Sequence, residues 1–233
     1  KSLFIAPTSM DAGLTSVCLG LLRALERVGV SVGFYKPFSQ SVHEAESLHN
    51  AGQDSSVAFV RDRSHLDIPE PIPLKKAQQL LNRHQSDLLM ENVVGEFHKV
   101  ASKVDVVVIE GLVPDRSEAY IARLNVEVAR NLGSEVILVS TPKNCSAEEL
   151  EFSSRLYADP SDPDVIAAIL NKIGEPEHSG LTLHRDREPT AGIDYQKECP
   201  IFSKGRLRLL AEIPWQPELL APRVSDIVRE LGV

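Results

Sequence analysis

Residues 3–37 read LFIAPTSMDAGLTSVCLGLLRALERVGVSVGFYKP, and the fold is decided here. Leu3, Phe4, Ile5 and Ala6 form a short apolar run of the kind that makes a buried strand. Residues 7–12 then read as a loop, and Gly13-Leu14-Thr15-Ser16 opens a helix. Val17, Leu21, Leu25 and Val28 recur at helical spacing, which predicts one apolar face, with Arg23, Glu26 and Arg27 mostly opposite. Gly29 stands where a helix C-cap glycine belongs, and residues 30–35 predict a second strand ending at Lys36-Pro37. Strand, loop, helix and strand in so short a span make a βαβ unit, the building block of parallel sheets.

The loop matters most. In the phosphate-binding pattern GxxxxGK[ST], backbone N–H groups cradle phosphate, the lysine reaches the outer phosphates and the hydroxyl holds Mg²⁺. Over that pattern the chain reads Thr8-Ser9-Met10-Asp11-Ala12-Gly13-Leu14-Thr15. The second glycine and the hydroxyl are present, but Thr8 replaces the first glycine and Leu14 replaces the lysine. The frame of a phosphate loop is kept without its charge.

Outward from this unit, residues 104–111 (VDVVVIEG) give the strongest strand pattern, since a near-continuous β-branched run suits a strand covered on both faces. Further strands are expected at residues 136–140, 165–170 and 207–213. Helices are expected at residues 54–61, 74–81, 86–102, 122–131, 146–157 and 221–231. Asp54-Ser55-Ser56 and Ser86 read as helix caps, and Ser146 with Glu149 as a capping box. Leu89, Val93, Phe97 and Val100 mark the core face of the 86–102 helix. Residues 39–53 read as a polar surface loop, residues 68–73 with their alternate prolines as an extended connection, and residues 174–205 carry no clear pattern.

Composition narrows the function classes. Lys+Arg 25 against Asp+Glu 33 gives a net charge of −8, a poor match for nucleic-acid binding. No apolar run approaches the roughly 18 residues of a membrane span. The three cysteines, Cys18, Cys145 and Cys199, are widely spaced, which predicts reduced thiols and a cytoplasmic protein. The histidines show no metal-ligand spacing, and no nucleophile elbow is present. One domain spanning residues 1–233 is expected, and a first residue Lys1 in place of methionine suits a domain taken from a longer chain.

The motifs APT (6–8), GLTSV (13–17), GLLRALER (20–27) and KP (36–37) together resemble the N-terminal domain of the long form of bacterial phosphate acetyltransferase. YKP, VVVIEGLVPD, LNK and LLAEIPW extend the resemblance in the family's order over nearly the whole chain. That domain is related to dethiobiotin synthetase and the cobyrinic acid a,c-diamide synthases, and leucine at the P-loop lysine position is typical of the acetyltransferase version. The resemblance implies a doubly wound α/β fold with a mostly parallel sheet, P-loop NTPase-like, with a degenerate P-loop. It implies a parent enzyme that interconverts acetyl-CoA and phosphate with acetyl phosphate and CoA, its catalytic domain lying C-terminal to this one. On that reading the chain itself is non-catalytic. It regulates or assembles a homo-oligomer, meets the catalytic domain of its own chain, and takes at most a small-molecule effector. The parent would use CoA and acetyl-CoA, whereas Leu14 argues against Mg-ATP here.

The resemblance also supplies candidate residues for a vestigial nucleotide or effector pocket: Thr8, Gly13, Thr15, Ser16, Lys36, Glu110 and Asn171. Lys36 matches a lysine that binds nucleotide or substrate in dethiobiotin synthetases, and Glu110 an acid that helps bind Mg²⁺ in the ATP-using relatives. Asn171 matches the position that reads adenine, and Asp54 falls in a loop that can supply a second acid. Plainer readings stand beside these. Gly13, Thr15 and Ser16 suit a tight turn with capping hydroxyls, Lys36 a strand-end lysine stiffened by Pro37, and Asn171 a side chain bonded to loop backbone. Glu110 suits an inherited structural acid, since Leu112-Val113-Pro114 replaces the relatives' glycine-rich turn. Trp215 is expected to bury its ring with its N–H satisfied. The rival function is a stand-alone ATP-dependent ligase of the dethiobiotin synthetase or cobyrinic acid a,c-diamide synthase type, or a nucleotide- or metabolite-sensing module.

Overall fold

The computed structural model describes residues 1–40, 54–64, 66–114, 120–142, 147–157, 165–175 and 194–216. Six strands form one parallel sheet: β1 (Ser2–Pro7), β2 (Val32–Tyr35), β5 (Val106–Glu110), β6 (Glu135–Ser140), β7 (Val165–Ile173) and β8 (Leu209–Pro214), in the order β2-β5-β1-β6-β7-β8. A two-stranded parallel pair joins β3 (Phe38–Ser39) to β4 (Ile72–Pro73). The helices are α1 (Leu14–Arg27), α2 (Ser55–Ser64), α3 (Leu74–Asn82), α4 (Ser86–Ala101), α5 (Tyr120–Asn131) and α6 (Ala147–Tyr157), followed by the single turns α7 (Tyr195–Glu198) and α8 (Pro200–Ser203).

Strand alternation sends every second residue to each face of the sheet, and here both faces are covered. Phe4, Ala6, Val107, Ile109, Val136, Leu138, Ala168 and Leu170 enter one core, where α4 and α5 bring Leu89, Val93, Phe97, Val100, Ile121 and Leu124. Ile5, Val108, Ile137, Val139 and Ile169 enter the other, against Leu14, Val17, Cys18 and Leu22 of α1 and Val57 and Val60 of α2. The sheet is therefore doubly wound, as the resemblance implied. Its middle strand β1 pairs with β5 through Ile5↔Glu110 and with β6 through Pro7↔Val139. The ends of β2, β5 and β1 thus lie side by side along one rim.

Several expectations shift. Val28 is 74% exposed, because the buried stripe of α1 runs through Leu14, Val17, Cys18 and Leu22 and leaves Leu21 and Leu25 at its margin. Ser86 is the first residue of α4, and Gln85, in the cap position, makes no side-chain cap bond. β7 continues past Leu170 through Asn171 and Lys172 to Ile173. The half-buried Trp215 donates its backbone N–H to Ile173 O at 2.8 Å, but its indole Nε1 has no partner among the described residues. The expected cap at Ser146, the helix at 221–231, most of the loop at 39–53 and residues 176–193 lie outside the described residues.

Candidate functional site

Lys36 follows β2 directly, Glu110 ends β5, Thr15 lies in the first turn of α1, and Asp54 and Ser56 open α2. Because β2, β5 and β1 are neighbours, these groups meet at one rim of the sheet, where open α/β folds place their ligands. Lys36 is 5% exposed, and its ammonium stands 3.0 Å from Glu110 Oε1, 3.1 Å from Asp54 Oδ1 and 2.8 Å from Ser56 Oγ. An ammonium has three N–H donors and all three are engaged. Thr15 Oγ1 lies 3.2 Å from Glu110 Oε1 and 3.1 Å from Ser56 Oγ. One proton assignment closes the circuit: Lys36 donates to Ser56, Ser56 to Thr15, and Thr15 to the Glu110 oxygen that Lys36 also reaches.

The carboxylates are supported differently. Asp54 Oδ1 accepts from the backbone N–H groups of Ser56 at 3.0 Å and Val57 at 3.1 Å, capping α2, while Oδ2 accepts from Gln40 N at 3.2 Å. Glu110 is 2% exposed, and its Oε2 has no hydrogen-bond partner among the described residues. Burial by itself would lower the pKa of Lys36. The Glu110 and Asp54 charges and their hydrogen bonds outweigh it, so the ammonium is held above its ordinary value. One turn further into α1, burial and then the Glu110 carboxylate push the Cys18 thiol well up, against a smaller opposing pull from Lys36. Cys18 is therefore an inert core thiol.

The turn after Glu110 is clamped by two carboxamides. Asn125 of α5, 4% exposed, accepts from Leu112 N and donates to Leu112 O, both at 2.8 Å. Gln40 does the same for Val113, accepting from its N–H at 2.9 Å and donating to its carbonyl at 2.8 Å. Close packing begins at Gly111, where a Cβ would stand 3.0 Å from Ile5 O and from the Phe4 ring.

On the other side of β1, the loop is pinned by neutral groups. Thr8 N donates to Val139 O at 2.9 Å, and Thr8 Oγ1 lies 3.0 Å from Ser140 Oγ. Gly13 has φ 71°, the left-handed region, and a Cβ there would fall on the Asn171 amide nitrogen. That nitrogen donates to Ala12 O at 2.9 Å, so Asn171 holds the loop backbone from across the sheet. Ser16 is exposed and makes none of these contacts, while Leu14, at the phosphate-loop lysine position, is buried in the α1 core. Of the candidates, Thr15, Lys36 and Glu110 therefore form one cluster, Thr8, Gly13 and Asn171 a second, and Ser16 neither. Asp54 and Ser56 of the cap motif belong to the first cluster, and Gln40 and Asn125 join the rim with no motif to announce them.

The phosphate-loop fold implies a divalent ion beside Thr15 and an acid. The donor set does not suit one. Asp54 and Glu110 are both paired with the Lys36 ammonium, which sits within 3.1 Å of each carboxylate. The oxygens around Lys36 stand at ammonium distances, whereas Mg²⁺ requires about 2.0–2.1 Å in octahedral geometry.

Fold and rim together define a P-loop-like member of the parallel α/β class. A family model described as an AAA domain matches residues 1–223, and the chain belongs to that family. It is similar to the phosphate acetyltransferases of Pseudomonas aeruginosa (40% identical, covering 96% of this chain and 31% of that protein) and Pseudomonas putida (38%, covering 100% and 32%). The phosphate acetyltransferase of Haemophilus influenzae is 31% identical, with 100% and 33% covered. The chain spans about a third of the length of these relatives. The resemblance read from the motifs is thus borne out. In fold, the chain is similar to a nucleotide-binding protein from Archaeoglobus fulgidus solved with ADP, with TM-score 0.57 at 14% identity, covering 98% of this chain and 86% of that one.

Proposed function

We propose that the chain is the non-catalytic N-terminal domain of a long-form phosphate acetyltransferase, serving regulation or assembly of the enzyme. The observation that carries this reading is the pairing of a near-complete likeness to a third of such enzymes with a rim whose lysine is already engaged by its own acids. Phosphoryl transfer relies on fixed positive charge and metal aimed at the phosphates. Here the loop lysine is the buried Leu14 and the donors of Lys36 are engaged internally. That combination opposes an ATP-dependent ligase. A small-molecule effector fits best beside Gly13, Thr8 and Asn171, where the loop presents backbone and neutral dipoles with the Lys172 side chain alongside. The natural partners are the catalytic domain of the same chain and further copies of the enzyme.

The test is removal of residues 1–233 from the full-length enzyme. Acetyl transfer between CoA and phosphate should persist, while oligomer size or the response to metabolites changes. Loss of all acetyl transfer from a folded remainder would overturn the non-catalytic reading. Unchanged assembly and unchanged metabolite response would overturn the regulatory one.

A further inference from the structure

The loop and the acid pair raise the question of how two buried carboxylates are neutralised. Asp54 and Glu110 bring two negative charges to the rim, and Lys36 returns one positive charge. The other compensation comes from helix ends. Asp54 caps α2 through the N–H groups of Ser56 and Val57, and Glu110 meets the first turn of α1 through Thr15. A helix N-terminus is equivalent to roughly half a positive charge, so two of them offset about one carboxylate. The cluster is close to neutral as it stands.

We propose that the Lys36 ammonium is the resident cation of the Asp54–Glu110 acid pair beside Thr15, and that it keeps a free divalent ion from binding there. Lys36 touches both acids and the serine, and Thr15, the metal-ligand position of the loop, reaches it through Ser56 and the shared Glu110 oxygen. A divalent ion added to Glu110 would crowd a buried ammonium and over-compensate a neutral cluster. The inference concerns the protein's own cation and does not rest on the regulatory reading.

Mn²⁺ is the probe, followed by electron paramagnetic resonance and by thermal melting of the protein at its native length, with no effector added. The comparison uses wild type, Lys36→Met, Glu110→Gln and the double variant Lys36→Met/Glu110→Gln. Wild type and Glu110→Gln should bind the same number of Mn²⁺ ions. Lys36→Met should gain one ion, bound at least roughly tenfold more tightly than any the wild type holds at this rim, and its melting midpoint should rise with Mn²⁺. The double variant should lose that ion. If Lys36→Met folds only when Mn²⁺ is present, the expectation is equally met. A wild-type Mn²⁺ site that Glu110→Gln removes would overturn the proposal, whatever the fate of the lysine variant. So would a folded Lys36→Met that gains no ion.

Discussion

The two sides of the β1 end solve the same problem with different chemistry. On the β2–β5 side, Lys36, Asp54, Glu110, Ser56 and Thr15 are bonded to one another, with Glu110 Oε2 left without a partner among the described residues, and Asn125 and Gln40 clamp the adjoining turn. On the β6–β7 side, Thr8, Ser140, Gly13 and Asn171 pin the loop with neutral dipoles, while the Lys172 side chain, 3.8 Å from Glu175, lies beside Gly13. A charged residue at a sheet rim is readily taken for a ligand group. Here the buried lysine is already engaged by its own acids, and the other side holds the loop that a ligand would meet.

The largest effect expected from breaking this contrast is on stability at Lys36. Lys36→Met leaves two buried carboxylates without their cation, which should cost about 3–5 kcal/mol in urea unfolding without metal. Asn125→Ala comes next. It orphans the N–H and carbonyl of Leu112, and should cost about 2–4 kcal/mol in the same assay. On the neutral side, Gly13→Ala forces a Cβ into left-handed backbone, a cost of about 1–2 kcal/mol, and also displaces Asn171. In an Asn171→Ala background the second contribution should vanish, so the Gly13 substitution should cost less there than in wild type. A full cost in both backgrounds would mean that Asn171 does not hold the loop.

The smallest expected effect is with pH. The folded pKa of Lys36 is raised, so its stabilising contribution is fully present below the unfolded lysine value of about 10.4 and is lost as pH rises through the higher folded value. Among the described residues, Asp54, Glu110 and Cys18 are titratable groups around it. The stability gap between wild type and Lys36→Met should stay flat from neutral pH to about 10 and narrow only above it. A gap that closes nearer neutrality would contradict a buried, acid-held ammonium.

Much of the fold is legible in the chain because periodicity records burial. The β-branched run ending at Glu110 and the strand–loop–helix around Gly13 both form where the pattern puts them. Leu89, Val93, Phe97 and Val100 all enter the core. The apolar face of α1 was harder to read, since periodicity favours Val28 over Cys18, yet the helix end lifts Val28 away from the sheet. The β3–β4 pair joins Phe38 to Ile72, a contact that no local pattern announces.

The site was legible by position and not by role. The loop motif pointed to Gly13 and Thr15, and the resemblance to Lys36, Glu110 and Asn171. That the three donors of Lys36 are engaged depends on Asp54 and Ser56 arriving from α2. Gln40 and Asn125 act through backbone of distant sequence, so only the folded chain brings them to the turn.

The central claim is that Lys36 and Glu110 act as one buried unit, and a double-mutant cycle on unfolding free energy tests it directly. Lys36→Met, Glu110→Gln and the double variant should be compared at neutral pH without divalent metal. The account requires a coupling of about 2–3 kcal/mol, with the double variant more stable than the sum of the single losses allows. Additivity within about 0.5 kcal/mol would mean that the lysine and the acid stand independently at the rim, and would contradict it.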